Sequence, residues 1–103
     1  MDFSAKQFKQ RLAASETVNI LDVREAIEFH TYNIGGNNVP LSKLFEDIDA
    51  LGYNKHDEII VICKAGIRSK TAQAILMQNG YQNVINLTGG LLALQRLASG
   101  ITI

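Results

Sequence analysis

The fold is decided by the stretch Ile59-Ile60-Val61-Ile62-Cys63-Lys64-Ala65-Gly66-Ile67-Arg68-Ser69, an apolar run that ends at the only cysteine of the chain. Its first four residues are β-branched and follow polar residues, which is typical of a central parallel strand covered on both faces. Beyond Cys63, apolar residues recur at spacings of three and four, which predicts a helix from about Ile67 to Asn79. The stretch therefore predicts a strand, a short basic loop and a helix in immediate succession.

The loop after Cys63 has features that stabilise a negative charge on sulfur. It lies at the N-terminus of the predicted helix, where backbone N–H groups lack intrahelical partners and carry partial positive charge. Lys64 and Arg68 add full positive charges on either side of Gly66, which allows the backbone to bend. A cysteine at the end of an apolar strand is often inert core, so the residue alone would not identify a site. The combination indicates a cysteine nucleophile.

Composition and charge restrict the classes of function. The 103 residues are 47% hydrophobic, and ten basic residues balance ten acidic ones. We therefore expect one domain over residues 1–103 and no nucleic-acid partner. The oligomeric state does not follow from composition or charge, and a monomer is the default expectation. The longest apolar run is too short to span a bilayer, and the start of the chain does not resemble a secretory signal, so we expect no membrane partner.

The cysteine count gives two further expectations. A single cysteine excludes an internal disulfide and fits a reducing, cytoplasmic setting. An oxidised sulfur on Cys63 would have to be resolved by another molecule. His30 and His56 are isolated from each other and from acidic patterns, so we interpret them as surface residues and expect no metal site.

Helix and strand patterns alternate along the rest of the chain. Ser4 and Gln7 form a predicted capping box at the start of the first helix, and Ser42 is a candidate cap for the third. The predicted helices cover about 5–14, 25–29, 42–51, 67–79 and 91–98, and the predicted strands cover 18–24, 59–62 and 83–87. This alternation predicts an α/β domain with a mainly parallel sheet and helices on both faces. The last helix is apolar on most sides, so we expect it to pack closely on the sheet.

A charged pair lies at the end of the second predicted element. Asp22 and Arg24 are two residues apart, so their side chains share one side of an extended segment. The carboxyl ends of parallel strands gather at one edge, which places this pair near the Cys63 loop. We favour a bracket that organises neighbouring turns over a direct role in catalysis, which remains the alternative.

Several motifs together carry a family resemblance. They occur in the order Leu21-Asp22-Val23-Arg24-Glu25, Asn33-Ile34-Gly35-Gly36, Cys63-x-x-Gly66-x-Arg68-Ser69, Gly80-Tyr81-Gln82-Asn83-Val84 and Leu87-Thr88-Gly89-Gly90. With these motifs, which span most of its length, the chain resembles a single-domain rhodanese, a thiosulfate or persulfide sulfurtransferase. The resemblance implies a three-layer domain with a five-stranded parallel sheet flanked by helices.

The resemblance also implies a mechanism. Cys63 would take the outer sulfur of a small anionic donor such as thiosulfate, hold it as a persulfide and pass it to a thiol or protein acceptor. Backbone N–H groups of the loop would cradle that sulfur. The implied cradle consists of Lys64, Ala65, Gly66, Ile67, Arg68 and Ser69. Lys64 and Arg68 would attract the donor, and no metal or organic cofactor is needed.

The chain departs from the commoner family pattern in two places. Asn33 replaces a histidine, and there is no tryptophan after Gly89-Gly90. Three alternatives stay open. A cysteine phosphatase or arsenate reductase uses a similar loop, but with five residues between cysteine and arginine, whereas four separate Cys63 from Arg68. A sulfur carrier or redox sensor would need the same loop. A docking module would need no cysteine at all.

Overall fold

The structure, a computed structural model, describes residues 2–14 and 17–100. The strands are β1 (Asp2–Phe3), β2 (Ile20–Asp22), β3 (Asn37–Asn38), β4 (Glu58–Ile62) and β5 (Asn83–Leu87). The helices are α1 (Ala5–Ala14), α2 (Ala26–Thr31), α3 (Leu41–Asp47), α4 (Ile67–Gln78) and α5 (Gly90–Ser99), and a 3-10 turn, Ile48–Ala50, follows α3. The strands form one sheet in the order β1-β5-β4-β2-β3, and each pairing is parallel. This confirms the five-stranded parallel sheet.

Strand β4 is at the centre of the sheet and contributes to both hydrophobic cores. Its residues point alternately to opposite faces. Ile59 and Val61 belong to the core that α3 and α4 cover. Ile60 and Ile62 belong to the core that α1 and α5 cover. Helices therefore lie on both faces, as the alternating pattern predicts, and this burial explains the β-branched run.

The edges of the sheet differ from the sequence-based prediction. Strands β1 and β3 have two residues each, too few for a period-two pattern to be visible, and neither is among the predicted strands. The strand expected over 18–24 is limited to Ile20–Asp22. Helix α3 begins after Pro40 rather than Ser42. The limits of the predicted domain, Met1 and Ile103, lie outside the described residues.

Two further predictions concern the capping box of α1 and the packing of α5 on the sheet. The capping box of α1 is confirmed, because Gln7 donates its N–H to the Ser4 hydroxyl at 3.1 Å and the Ser4 N–H bonds to Gln7 at 2.8 Å. Close packing of α5 is only partly correct. Only Gly90 and Leu91 are buried on this helix, since its apolar residues extend further around the axis than the sheet can cover. Within the described residues, no helix is long and apolar enough to cross a membrane.

Candidate active site

Cys63 lies at the carboxyl end of β4, in the tight turn that leads to α4. Gly66 is the residue immediately before the helix, with φ of +90°. This is the left-handed region that favours glycine. A Cβ atom here would also lie 2.9 Å from the backbone nitrogen of Gly89. The bend that returns the chain towards the Cys63 sulfur therefore requires glycine at this position.

The Cys63 sulfur is surrounded by hydrogen-bond donors. The residue is 1% exposed, and its Sγ accepts hydrogen bonds from the N–H groups of Gly66 at 3.1 Å and Ser69 at 3.4 Å. The Ser69 hydroxyl oxygen is 3.3 Å away. Burial raises the pKa of the Cys63 thiol, but the Ser69 hydroxyl and the backbone N–H groups of Ser69, Gly66 and Ala65 together lower the pKa further than burial raises it. The net effect favours the thiolate.

The first turn of α5 holds the other side of the same loop. Leu91 donates its N–H to the carbonyl of Cys63 at 2.9 Å, and Leu92 donates to the carbonyl of Lys64 at 3.0 Å. Gly90 allows this approach, because a Cβ there would lie 2.5 Å from both carbonyl oxygens. The N–H groups at the start of α5 therefore fix the backbone on which the Cys63 sulfur is mounted.

Arg68 forms an ion pair with a residue that the sequence analysis did not select. Its guanidinium donates two hydrogen bonds to the Glu28 carboxylate, at 2.6 and 3.0 Å. These bonds lower the pKa of Glu28 to about 2, and the same pair raises the pKa of Arg68. Both side chains are about a third exposed, at 35% and 31%. The Arg68 charge is thus balanced at the rim of the loop.

Asp22 and Arg24 form a buried ion pair beside the loop. The shortest contact joins Arg24 Nη2 to Asp22 Oδ2 at 2.7 Å, and the side chains are 7% and 0% exposed. Arg24 also bonds to the carbonyl oxygens of Glu28 and Tyr32 near the end of α2. Asp22 is paired in register with Ile62, so the pair lies near the loop as expected. These contacts are compatible with a bracket that organises neighbouring turns, and that role stays a prediction.

A cavity of about 350 Å³ opens next to the loop, between α2 and the start of α5. Glu28, Ile27, Lys64 and Leu92 are among its lining residues. Lys64 is exposed, and within the described part of the chain no carboxylate lies within 4.0 Å of its ammonium. Lys64 is therefore the loop cation whose charge is not balanced by an ion pair.

The two histidines are surface residues. His30 and His56 are both exposed, as the sequence predicts. Across residues 2–14 and 17–100, no group of three or more histidine, cysteine, aspartate or glutamate side chains is arranged to hold a metal ion.

Comparison with known proteins gives the family. The model of the rhodanese-like domain matches residues 4–97. The chain belongs to the rhodanese-like family. A rhodanese-like domain protein of Staphylococcus aureus shares the fold, with a TM-score of 0.80, 26% identity and 91% of each chain covered.

Two curated relatives of this rhodanese-like chain are named for sulfur chemistry. YrkF of Bacillus subtilis, named as a sulfur carrier protein, is 36% identical over 91 residues, which cover 87% of this chain and 48% of YrkF. The chain thus spans about half the length of that relative. A sulfurtransferase of Allochromatium vinosum is 33% identical over 95 residues, which cover 92% of this chain and 88% of the relative.

Sequence reasoning on this rhodanese-like chain missed three residues of the site. Glu28 and Arg68 are 40 positions apart, and no local pattern links them. Gly90 is part of the double glycine among the motifs of the resemblance, but that motif does not indicate its contact with the carbonyls of the loop. Asn86 also carried a signal, a polar residue inside an apolar strand. Its side chain contacts Ser69 and Gly66.

Proposed function

We propose that the chain is a sulfurtransferase in which Cys63 carries the sulfur as a persulfide. The observation that supports this most directly is the pair of N–H donors, from Gly66 and Ser69, that face the Cys63 sulfur at the start of α4. Such an arrangement stabilises a thiolate and gives a nucleophile at neutral pH. Relatives named as a sulfur carrier and a sulfurtransferase support the same chemistry.

The proposed reaction has two balanced steps. The Cys63 thiolate attacks the outer sulfur of thiosulfate, a new S–S bond forms, and the old S–S bond breaks with its electron pair leaving on sulfite. The outer sulfur of the Cys63 persulfide then carries the negative charge. In the second step an acceptor thiolate, or cyanide in an assay, attacks that outer sulfur, and the electron pair of the S–S bond returns to Cys63 as a thiolate. Each step conserves charge, and neither needs a metal or organic cofactor.

The loop residues have distinct roles in this proposal. The backbone N–H groups of Lys64 to Ser69 cradle the outer sulfur, as an oxyanion hole cradles oxygen. Lys64 supplies the attraction for an anionic donor. Arg68 acts with Glu28 as a neutral pair at the rim, and Asp22 and Arg24 support the strand end.

The donor class follows from this charge distribution. With Arg68 balanced by Glu28, one cation, Lys64, faces an anionic donor. One cation is enough for thiosulfate or for a persulfide, so both belong to the proposed donor class. The acceptor is a small thiol or a thiol of another protein, in a reducing compartment such as the cytoplasm. A carrier and a catalyst share these half-reactions and differ only in turnover.

Intact-mass spectrometry tests the proposal. The protein is weighed as purified, after thiosulfate and again after cyanide. We expect gain of one sulfur atom on Cys63, its loss to cyanide, and no gain in Cys63→Ser, whose fold is checked by circular dichroism. Sulfur transfer retained by Cys63→Ser would refute the assignment. A folded wild-type protein that gains no sulfur from thiosulfate or from a small-molecule persulfide would also refute it, and hydrolysis of a phosphate ester would then identify the phosphatase alternative.

A further inference from the structure

Asn86 is a buried polar residue in the middle of β5 that no part of the proposed reaction uses. It is 3% exposed and is paired in register with Val61 of the central strand. Its Oδ1 accepts a hydrogen bond from the Ser69 hydroxyl at 2.5 Å, and its Nδ2 donates to the Gly66 carbonyl at 3.4 Å. Burying an amide is costly without partners. Both partners here are residues that contact the Cys63 sulfur.

The Gly66 carbonyl fixes which way the Asn86 amide points. A carbonyl oxygen can only accept a hydrogen bond, so the nitrogen end of the amide has to face Gly66. The oxygen end therefore faces Ser69. An amide oxygen also only accepts, so this orientation draws the Ser69 hydroxyl proton towards Asn86.

The Ser69 hydroxyl has one proton and two acceptors that compete for it. Asn86 Oδ1 is 2.5 Å from the hydroxyl oxygen, and Cys63 Sγ is 3.3 Å from it. While the proton points to Asn86, the Ser69 oxygen can accept the S–H of a Cys63 thiol. To stabilise a Cys63 thiolate, the proton has to turn to the sulfur and give up the Asn86 oxygen.

We propose that Asn86 is a positioning residue that governs how readily Cys63 loses its proton, by competing with the sulfur for the Ser69 hydroxyl proton. This rests on the proposed function only in taking Cys63 as the reacting sulfur. The competition matters least once Cys63 carries a persulfide, because the negative charge is then on the outer sulfur. Asn86 thus lowers the stability of the empty thiolate relative to the sulfur-loaded state.

The charged groups around the loop do not change in the test. They are Lys64 in the loop, Arg68 and Lys70 on α4, Glu28 on α2, Asp22 and Arg24 at the end of β2, and Asp2 on β1, which is paired in register with Asn86 and forms an ion pair with Lys70. Strand β5 and the first turn of α5 contain no charged residue. Substitutions that replace Asn86 by an uncharged side chain therefore leave the field at Cys63 intact.

The test is the pH dependence of Cys63 alkylation by iodoacetamide, which reacts with the thiolate. Four proteins are compared: wild type, Asn86→Leu, Ser69→Ala and the double variant. We expect Asn86→Leu to release the Ser69 proton to the sulfur, so that alkylation at a pH below the wild-type midpoint becomes about threefold to tenfold faster. In the Ser69→Ala background the same substitution should give no acceleration. Asn83→Leu, at the exposed start of the same strand, is the matched control and should behave as wild type.

Three results would overturn the inference. These are an unchanged or slower rate in Asn86→Leu, an equal acceleration with and without the Ser69 hydroxyl, and an unchanged or slower rate in Asn86→Val. The valine variant removes the same acceptor without adding a charge and suits a strand, so it should also alkylate faster than wild type, and it serves if the leucine variant does not fold. Alkylation needs no sulfur donor. A failure of sulfur uptake would therefore refute the proposed function while this result stands.

Discussion

The guanidinium of Arg68 and the carboxylate of Glu28 form a two-point ion pair between α4 and α2, with N–O distances of 2.6 and 3.0 Å. Glu28 thus balances the charge of Arg68, one of the two cations that the family resemblance implies for attracting the donor. The pair also ties the first turn of α4, which carries the N–H donors for Cys63, to the neighbouring helix. Charge at the rim of the site therefore depends on both residues.

Removal of the Arg68 charge should weaken the use of anionic donors. In Arg68→Ala the Glu28 carboxylate is left unbalanced near the Cys63 loop, and its repulsion should lower kcat/KM for thiosulfate by about tenfold, with a smaller effect on stability. The measurement is steady-state transfer of sulfur to cyanide, with urea unfolding alongside. The double variant Arg68→Ala, Glu28→Gln should recover most of the loss. Unchanged thiosulfate kinetics in Arg68→Ala would show that this charge does not act on the donor.

The same ion pair predicts a pH dependence of stability. Glu28 has its pKa lowered from 4.5 to about 2, so the folded state binds a proton less readily than the unfolded state. The stabilisation is fully present above pH about 4.5 and is lost as the pH falls through about 2. Urea unfolding should therefore give a stability difference between wild type and Glu28→Gln that disappears over this range. Glu46→Gln, at an exposed position on α3, is the control, and an equal acid-dependent difference there would contradict the assignment.

The buried pair at the end of β2 should matter far more for stability than a surface pair. Arg24→Ala leaves the fully buried Asp22 carboxylate unpaired and should cost about 3–5 kcal/mol. Arg11→Ala removes a partly exposed pair with Glu58 and should cost at most about 1 kcal/mol. Urea unfolding measures both. Similar costs for the two variants would show that the bracket does not stabilise the fold.

Gly90 should be essential for the shape of the loop. In Gly90→Ala a methyl group would lie 2.5 Å from the carbonyl oxygens of Cys63 and Lys64, so the first turn of α5 has to move away. We expect sulfur transfer and Cys63 alkylation to fall at least about tenfold, since a small misplacement of a nucleophile is costly. Gly35→Ala is matched, because φ is also positive and a Cβ there would meet no atom within 4 Å. Equal loss of activity in the two variants would show that the effect comes from backbone strain and not from the contact with the loop carbonyls.

The centre of the fold could be predicted because its signals are local. The β-branched run of β4, the turn at Gly66 and the periodicity of α4 lie within one short stretch. In the structure, Ile59 to Ile62 of β4 are all buried, which accounts for the continuous apolar run. Strands β1 and β3 could not be predicted in the same way. Two residues carry no periodicity, and these edge strands exist because the neighbouring strands β5 and β2 offer free hydrogen-bonding groups.

Site contacts between residues that are close in sequence could be predicted, whereas contacts between distant residues could not. Cys63, Gly66 and Ser69 are close in sequence, so their meeting follows from one turn and the start of one helix. Glu28 and Asn86 reach the loop only because the order of the strands brings α2 and β5 beside it. Position in the sequence contains little information about such contacts.

The hydrogen bonds from Leu91 and Leu92 to the carbonyls of Cys63 and Lys64 have a consequence for the growing polypeptide on the ribosome. The strand, the loop and α4 are all synthesised before residue 91, but two loop carbonyls have no partner until the start of α5 has emerged. The nucleophile is therefore translated well before the segment that completes its backbone support. During synthesis, the sulfur acquires its final setting only after the first turn of α5 has emerged.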